Sequence, residues 1–150
     1  MFWPRGKIIG GSSSINGLVY HRGQASDYDD WEKEGNKGWD YKSLLPVFED
    51  FEQINYKNSK LYNGKLSVSY VENDYHPIKK YFYKGCNEAG YKASKKSVLV
   101  GDGIGPYYIN TINGTRCSSS KAFLNPIKNR KNLMIMSNTL VKKIIFTNKK

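Results

Sequence analysis

The spacing of apolar residues changes several times along this 150-residue chain, and each spacing predicts a different element. Leu44, Leu45, Phe48 and Phe51 recur at helical intervals behind Asp40, a suitable N-cap, so a helix is expected from Tyr41 to about Glu52. Asp27 is expected to cap a shorter helix through Trp31. Leu66, Val68 and Tyr70 alternate with serines, the pattern of a half-buried strand. Pro77 can open an amphipathic helix (Ile78, Phe82, Cys86, Ala89) that ends at Gly90. Tyr107 to Ile112 alternates loosely and suggests another strand. Ser118 to Leu124 reads as a helix stopped by Pro126. Leu133–Met136 and Leu140–Phe146 look like paired strands about a turn at Asn138-Thr139, with Val141 on the second. Residues 1–26 read as irregular loop and short helix. The fold class is therefore α+β, without a regular βαβ series or an internal repeat.

Charge and composition add little to this picture. The net charge of +11 comes from 24 basic and 13 acidic residues. A basic excess can serve nucleic acid. Here the lysines are scattered, with only short pairs such as Lys79-Lys80, Lys95-Lys96 and Lys142-Lys143. Lysine, asparagine, isoleucine and tyrosine all have A/T-rich codons, and that bias accounts for the charge better than a binding patch does. A basic nucleic-acid-binding module stays as the alternative function; no nucleic-acid partner is expected. The two cysteines, Cys86 and Cys117, form no CxxC, and the two histidines cannot build a metal cluster, so no metal site is expected. No apolar run reaches the length of a membrane span. Asn113-Gly114-Thr115 is a glycosylation sequon that matters only in a secreted protein, and a signal peptide on a longer protein would lie outside this sequence.

Candidate chemistry concentrates between Trp3 and Trp31. Gly10 and Gly11 allow a sharp turn and close backbone approach. Ser12, Ser13 and Ser14 add hydroxyls and N–H donors, and Arg5 and Lys7 place positive charge upstream. Such a group suits a phosphate-bearing cofactor, although a surface loop has the same composition. Asp27, Asp29 and Asp30 are expected to cap a helix and to pair with Arg22. Gly101-Asp102-Gly103-Ile104-Gly105 lacks the strand-to-helix context of a dinucleotide motif and reads as a surface loop.

The longer pattern resembles the signature of the glucose–methanol–choline (GMC) family of flavin oxidoreductases. The residues that carry it are Pro4-Arg5-Gly6-Lys7, Gly10-Gly11-Ser12-Ser13, Asn16, Tyr20, Arg22-Gly23, Asp27-Tyr28-Asp29 and Trp31. Gly38-Trp39-Asp40-Tyr41 with Leu44-Leu45-Pro46, then Glu88-Ala89-Gly90-Tyr91 and the run Thr115 to Leu124, resemble later family segments. The match is weak around residues 53–75 and 92–105. The Cys117 segment most resembles the insect glucose dehydrogenase-like branch.

The resemblance implies a fragment of the GMC FAD-binding fold, with part of the cofactor domain and part of an antiparallel-sheet substrate domain. Residues 1–55 would form a cofactor-domain segment and flavin-covering loop, 56–114 a substrate-domain segment, and 115–150 a return to the cofactor domain. It implies an FAD-dependent alcohol or sugar dehydrogenase, in which hydride passes from the substrate to flavin N5. Its partners would be a small alcohol or sugar and an electron acceptor. Ile8 would lie along the FAD, and Gly10, Gly11 and Ser12 beside its pyrophosphate and ribityl chain. Asn16, Gly17, Leu18 and Val19 would face the isoalloxazine ring, and Val141 would meet the adenine. Some family members carry a covalently bonding histidine where this chain has Ile15, so the FAD is expected to be non-covalent. The family's opening GxGxxG unit is expected before Met1 and its catalytic histidine beyond residue 150. No catalytic residue is assigned here, and the fragment alone is expected to be inactive. A non-catalytic or decayed family relative is a further alternative.

Overall fold

Helix capping and strand pairing set the frame that holds the glycine–serine segment. The computed structural model describes residues 1–56, 59–71, 76–91 and 104–147. The elements are β1 (Val19–Tyr20), α1 (Ala25–Lys33), α2 (Tyr41–Phe51), β2 (Glu52–Tyr56), β3 (Ser59–Leu61), β4 (Leu66–Tyr70), α3 (Ile78–Glu88), β5 (Tyr108–Ile109), β6 (Thr111–Ile112) and β7 (Thr115–Arg116). Short 3₁₀ turns span Gly11–Ser14 and Asn125–Ile127, and a π-helical turn spans Ser120–Leu124. The α+β expectation stands.

The helices form where the caps predict, with one change of role. The Asp40 carboxylate accepts from the Ser43 N–H at 3.1 Å and starts α2 as expected. Ser43 holds that carboxyl below the usual carboxylate range. At α1 the N-cap is Gln24, not Asp27. Asp27 sits inside the first turn, where its carboxylate accepts from the Gln24 N–H at 2.8 Å, the reciprocal half of a capping box. Tyr28 joins the two helices: its ring lies 5.7 Å from Phe48 and 6.0 Å from Tyr41. Gly90, with φ +88°, follows α3 in the left-handed conformation that stops a helix.

The main sheet runs β1-β5-β4-β2-β3, with β2 and β4 parallel and the other neighbours antiparallel. Its buried centre is small. Ile54 and Val68 are 1% and 0% exposed, and Tyr108 joins them, with Tyr20, Leu66 and Tyr70 packed around. The alternation in β4 implies a wet serine face, but Ser67 is also buried. A hairpin covers that face: β6 pairs with β7, and the Thr111 carbonyl accepts from Ser67 Oγ at 2.8 Å and Ser69 Oγ at 3.0 Å. Asn113 (φ +49°) and Gly114 (φ +71°) make the turn of the β6–β7 hairpin. The Tyr107–Ile112 run does not form one strand: it is broken at Asn110 into β5 and β6. The helical turn ends at Leu124, as expected, though it begins at Ser120 and is π-helical; Pro126 sits in the first turn of the 3₁₀ segment that follows.

The expected strand pair at Leu133–Met136 and Leu140–Phe146 is absent. Residues 133–147 hold no helix or strand, although Asn138 does turn the chain at φ +53°. A strand exists by pairing, and alternating apolar residues cannot supply the partner. Met134, Met136, Leu140, Ile144, Ile145 and Phe146 are exposed. So are Ile78, Tyr81 and Phe82 on α3. Among the described residues no helix is long and apolar enough to cross a membrane, and no cluster of three or more metal-ligating side chains occurs. The Gly101–Gly105 run falls largely outside the described residues.

Candidate functional site

The glycine–serine segment is a tightly bonded loop and 3₁₀ turn. Gly10 (φ +92°) and Gly11 (φ +55°) adopt left-handed backbone that side chains disfavour. Gly6 is needed for space: a Cβ there would stand 2.1 Å from the Gly11 carbonyl oxygen. The serine hydroxyls serve the loop itself. Ser14 Oγ donates to the Ile9 carbonyl at 3.0 Å, Ser12 Oγ accepts from the Gly6 N–H at 3.2 Å, and Ser13 Oγ bonds the Gly10 carbonyl. At Gly11 and Gly17 the loop leaves backbone uncovered. A Cβ added at Gly11 or Gly17 would meet nothing within 4 Å. Beside that backbone, Ile8, Ile15 and Val19 expose apolar side chains.

Residues about one hundred positions later clamp this loop. The Ser119 N–H donates to Ser13 Oγ at 3.0 Å, and Ser119 Oγ donates to the Gly10 carbonyl at 3.2 Å. Arg116 reaches across with both terminal nitrogens. Its Nη1 donates to Asn16 Oδ1 at 2.7 Å and to the Ser13 carbonyl at 3.1 Å; Nη2 donates to the Asn16 carbonyl at 2.8 Å. Asn16 Oδ1 also accepts from the Leu18 N–H at 3.1 Å. Leu18 carries φ +69°, a conformation that costs a bulky residue about 1–3 kcal/mol and persists only where its surroundings impose it. Its carbonyl is held by the Asn110 N–H at 2.9 Å. The Asn110 carbonyl in turn accepts from the Cys117 N–H at 2.9 Å, and Asn110 Nδ2 is buried without a hydrogen-bond partner among the described residues.

A second anchor lies just beyond Val19. Glu52 is fully buried at the start of β2. Its Oε1 accepts from Arg22 Nε at 2.9 Å and from the Tyr20 hydroxyl, and its Oε2 from Arg22 Nη2. The guanidinium also lies 5.3 Å from the Phe48 ring centre and 5.9 Å from that of Tyr62. Burial pushes the Tyr20 phenol far above its usual range, and the hydrogen bond and charge of Glu52 push it further. Burial opposes the charge on Arg22, but the bonds and charge of Glu52 outweigh it and hold the guanidinium protonated. The expected pairing of Arg22 with the acidic cluster is thus replaced by Glu52. Arg22 turns into the gap between α2 and the sheet, while Asp30 faces outward on Lys33 at 2.7 Å and Asp29 accepts from the Tyr41 N–H at 3.0 Å.

The structure therefore brings Ile8, Gly10, Gly11, Ser12, Asn16, Gly17, Leu18 and Val19 into one short stretch of surface. Val141 does not share a strand with anything. It is 75% exposed in irregular chain, which corrects the strand expected there. Sequence reasoning gave Arg116, Asn110 and the Arg22–Glu52 pair no place in this site. The Asn113-Gly114 turn signal could have pointed to the hairpin that carries Asn110 and Arg116 back to the loop. Nothing local marks Glu52 as the partner of Arg22.

Known proteins share this arrangement of sequence and fold. The family profile for GMC oxidoreductase matches residues 1–150. An oxygen-dependent choline dehydrogenase from Vibrio vulnificus (strain YJ016) is 36% identical over 151 residues, covering 98% of this chain and 27% of that protein. A glucose dehydrogenase [FAD, quinone] from Drosophila pseudoobscura pseudoobscura is 35% identical over 159 residues, covering 96% of this chain and 24% of that one. The chain thus spans about a quarter of the length of the curated relatives it matches. Among solved structures, an FAD-dependent oxidoreductase from Chaetomium thermophilum superposes with a TM-score of 0.82 at 26% identity, over 95% of this chain and 27% of that one. Pyridoxine 4-oxidase from Mesorbium loti superposes with a TM-score of 0.76 at 29% identity, over 90% of this chain and 28% of that one. A family match along the whole chain, with the same fold in solved relatives, selects the family resemblance over the basic nucleic-acid module: the chain belongs to the GMC oxidoreductase family.

Proposed function

We propose that the chain supplies part of the FAD site of an oxidoreductase acting on CH–OH groups of a small alcohol or sugar. The observation that carries this reading is the outward surface of residues 8–19. Bare backbone at Gly11 and Gly17 stands in the same run as exposed Ile8 and Val19, and Arg116, Ser119 and Asn110 bond Gly10, Ser13, Asn16 and Leu18 of that run. A flat aromatic ring and a phosphate ester both need close approach to backbone that does not move. In this reading Gly10, Gly11 and Ser12 pass beside the pyrophosphate and ribityl chain, and Ile8 lies along the cofactor. Asn16, Gly17, Leu18 and Val19 face the ring, with backbone dipoles where the ring gains charge. Val141 meets the adenine, and Ile15 offers no nucleophile for a covalent bond. Residues 1–55 and 115–150 belong to the cofactor domain and 56–114 to the substrate domain. Bound flavin would supply the hydride acceptor; the residues named here bind and orient it. This chain has no side chain assigned as the base that takes the alcohol proton, a group worth about two to four orders of magnitude in rate. The 150 residues by themselves are therefore expected not to oxidise alcohols.

Flavin fluorescence tests the reading. Titrating FAD into the purified chain should give a weak, saturable quench. Gly17→Val should weaken it about tenfold with the far-UV spectrum unchanged, because the new side chain enters ligand space rather than protein. No quench, together with salt-dependent retention on single-stranded DNA, would restore the nucleic-acid reading.

A further inference from the structure

We propose that Arg116 is a positioning residue for the flavin: its guanidinium fixes the Asn16–Val19 backbone in the shape that faces the ring. This role rests on the FAD reading above.

Three features of the structure lead to it. First, the Arg116 guanidinium makes three hydrogen bonds among the described residues, all to the glycine–serine segment: the Ser13 carbonyl, the Asn16 carbonyl and Asn16 Oδ1. The planar guanidinium reaches all three at once, which a lysine ammonium on its flexible stem cannot do with the same fixed geometry. Second, the Asn16 oxygen that accepts from Arg116 is the one that accepts from the Leu18 N–H. Arg116 thereby sets the orientation of the Asn16 amide, and the amide holds Leu18. Third, Leu18 sits at φ +69°, where a leucine stays only if its neighbours impose it. Asn110 holds its carbonyl and Asn16 its N–H, so the strained residue is held through the peptides on both sides. Strain held in this way, next to the open face of Gly17, is preorganisation of a binding surface.

The arginine is the second residue of β7, paired with Thr111 across the β6–β7 hairpin, so hairpin geometry decides where its guanidinium reaches. Its contribution is to hold backbone in place; it need not touch the cofactor itself.

The test uses the full chain with Arg116→Ala and Arg116→Lys. Without flavin, hydrogen exchange of peptides covering residues 13–19 should rise about tenfold in Arg116→Ala, while α2 exchanges as before. With FAD, the quench should weaken about tenfold in Arg116→Ala, and Arg116→Lys should recover only part of it. If Arg116→Ala loosens α2 as well, Arg116→Lys decides, since it keeps the charge and most of the stem. Unchanged exchange over residues 13–19 overturns the clamp whatever FAD does. Faster exchange with unaltered FAD affinity shows a purely structural arginine and also overturns the proposal. Absence of any quench in the parent chain overturns the FAD reading instead, and the exchange arm tells the two failures apart.

Discussion

Residues 6–22 and residues 133–146 look alike in the sequence: apolar side chains interrupted by glycine, serine, asparagine or threonine. In the structure they share little. The first run is tied to distant chain by Arg116, Ser119, Asn110 and Glu52. In the second, the described bonds are local, such as Thr139 Oγ1 donating to the Ser137 carbonyl at 3.0 Å, and the apolar side chains face outward. The comparison shows that order here is conferred by partners far away in sequence. Loop composition alone would not have separated a run bonded to distant chain from one whose described bonds are local.

This contrast can be broken most severely at Glu52. Glu52→Gln leaves the buried Arg22 charge uncompensated and should cost about 3–5 kcal/mol in urea unfolding. Replacing both partners, with Arg22→Met and Glu52→Leu, should recover much of that loss, because an unpaired buried charge is worse than none. A single Glu52→Gln variant as stable as the parent would mean the pair anchors nothing.

A like-for-like substitution sharpens the comparison. Ile54→Ala empties part of the buried centre and should cost about 2–5 kcal/mol. Ile144→Ala, in the exposed run, should stay within about 0.5 kcal/mol. Equal effects in denaturant melts would show that the 133–146 run is buried in solution.

Tyr20 provides a pH-dependent test of the same anchor. Its folded-state pKa is raised above the unfolded value of about 10, so the folded state keeps its proton longer. The stabilisation is fully present below pH 10 and is lost as the pH rises above it. Tyr20→Phe should cost about 1–2 kcal/mol at neutral pH, and the gap to the parent should close in alkaline melts. A gap that widens above pH 10 would contradict the assigned direction.

Much of the local structure was legible in the sequence. Asp40 and the apolar spacing behind it specify α2, and Pro77 and Gly90 bracket α3, because caps and helical periodicity act within a few residues. The glycines of the 6–17 run were legible for the same reason: Gly10 and Gly11 occupy backbone conformations that other residues resist. The strand alternation of β4 was also visible, but not that its serine face is covered.

Contacts between distant segments were decided only by the tertiary structure. Arg22 had three aspartates within eight residues and bonded Glu52 thirty positions away, because the buried carboxylate meets its guanidinium in a matched two-point geometry. Val141 and its neighbours carry a strand pattern and form no strand, because the ladder that would satisfy their backbone must come from another segment. Local rules determined the helices, their ends and the glycine turns. Pairing across the chain determined which loop is bonded to distant segments, since a hydrogen bond between residues 16 and 116 exists only once the hairpin has brought them together.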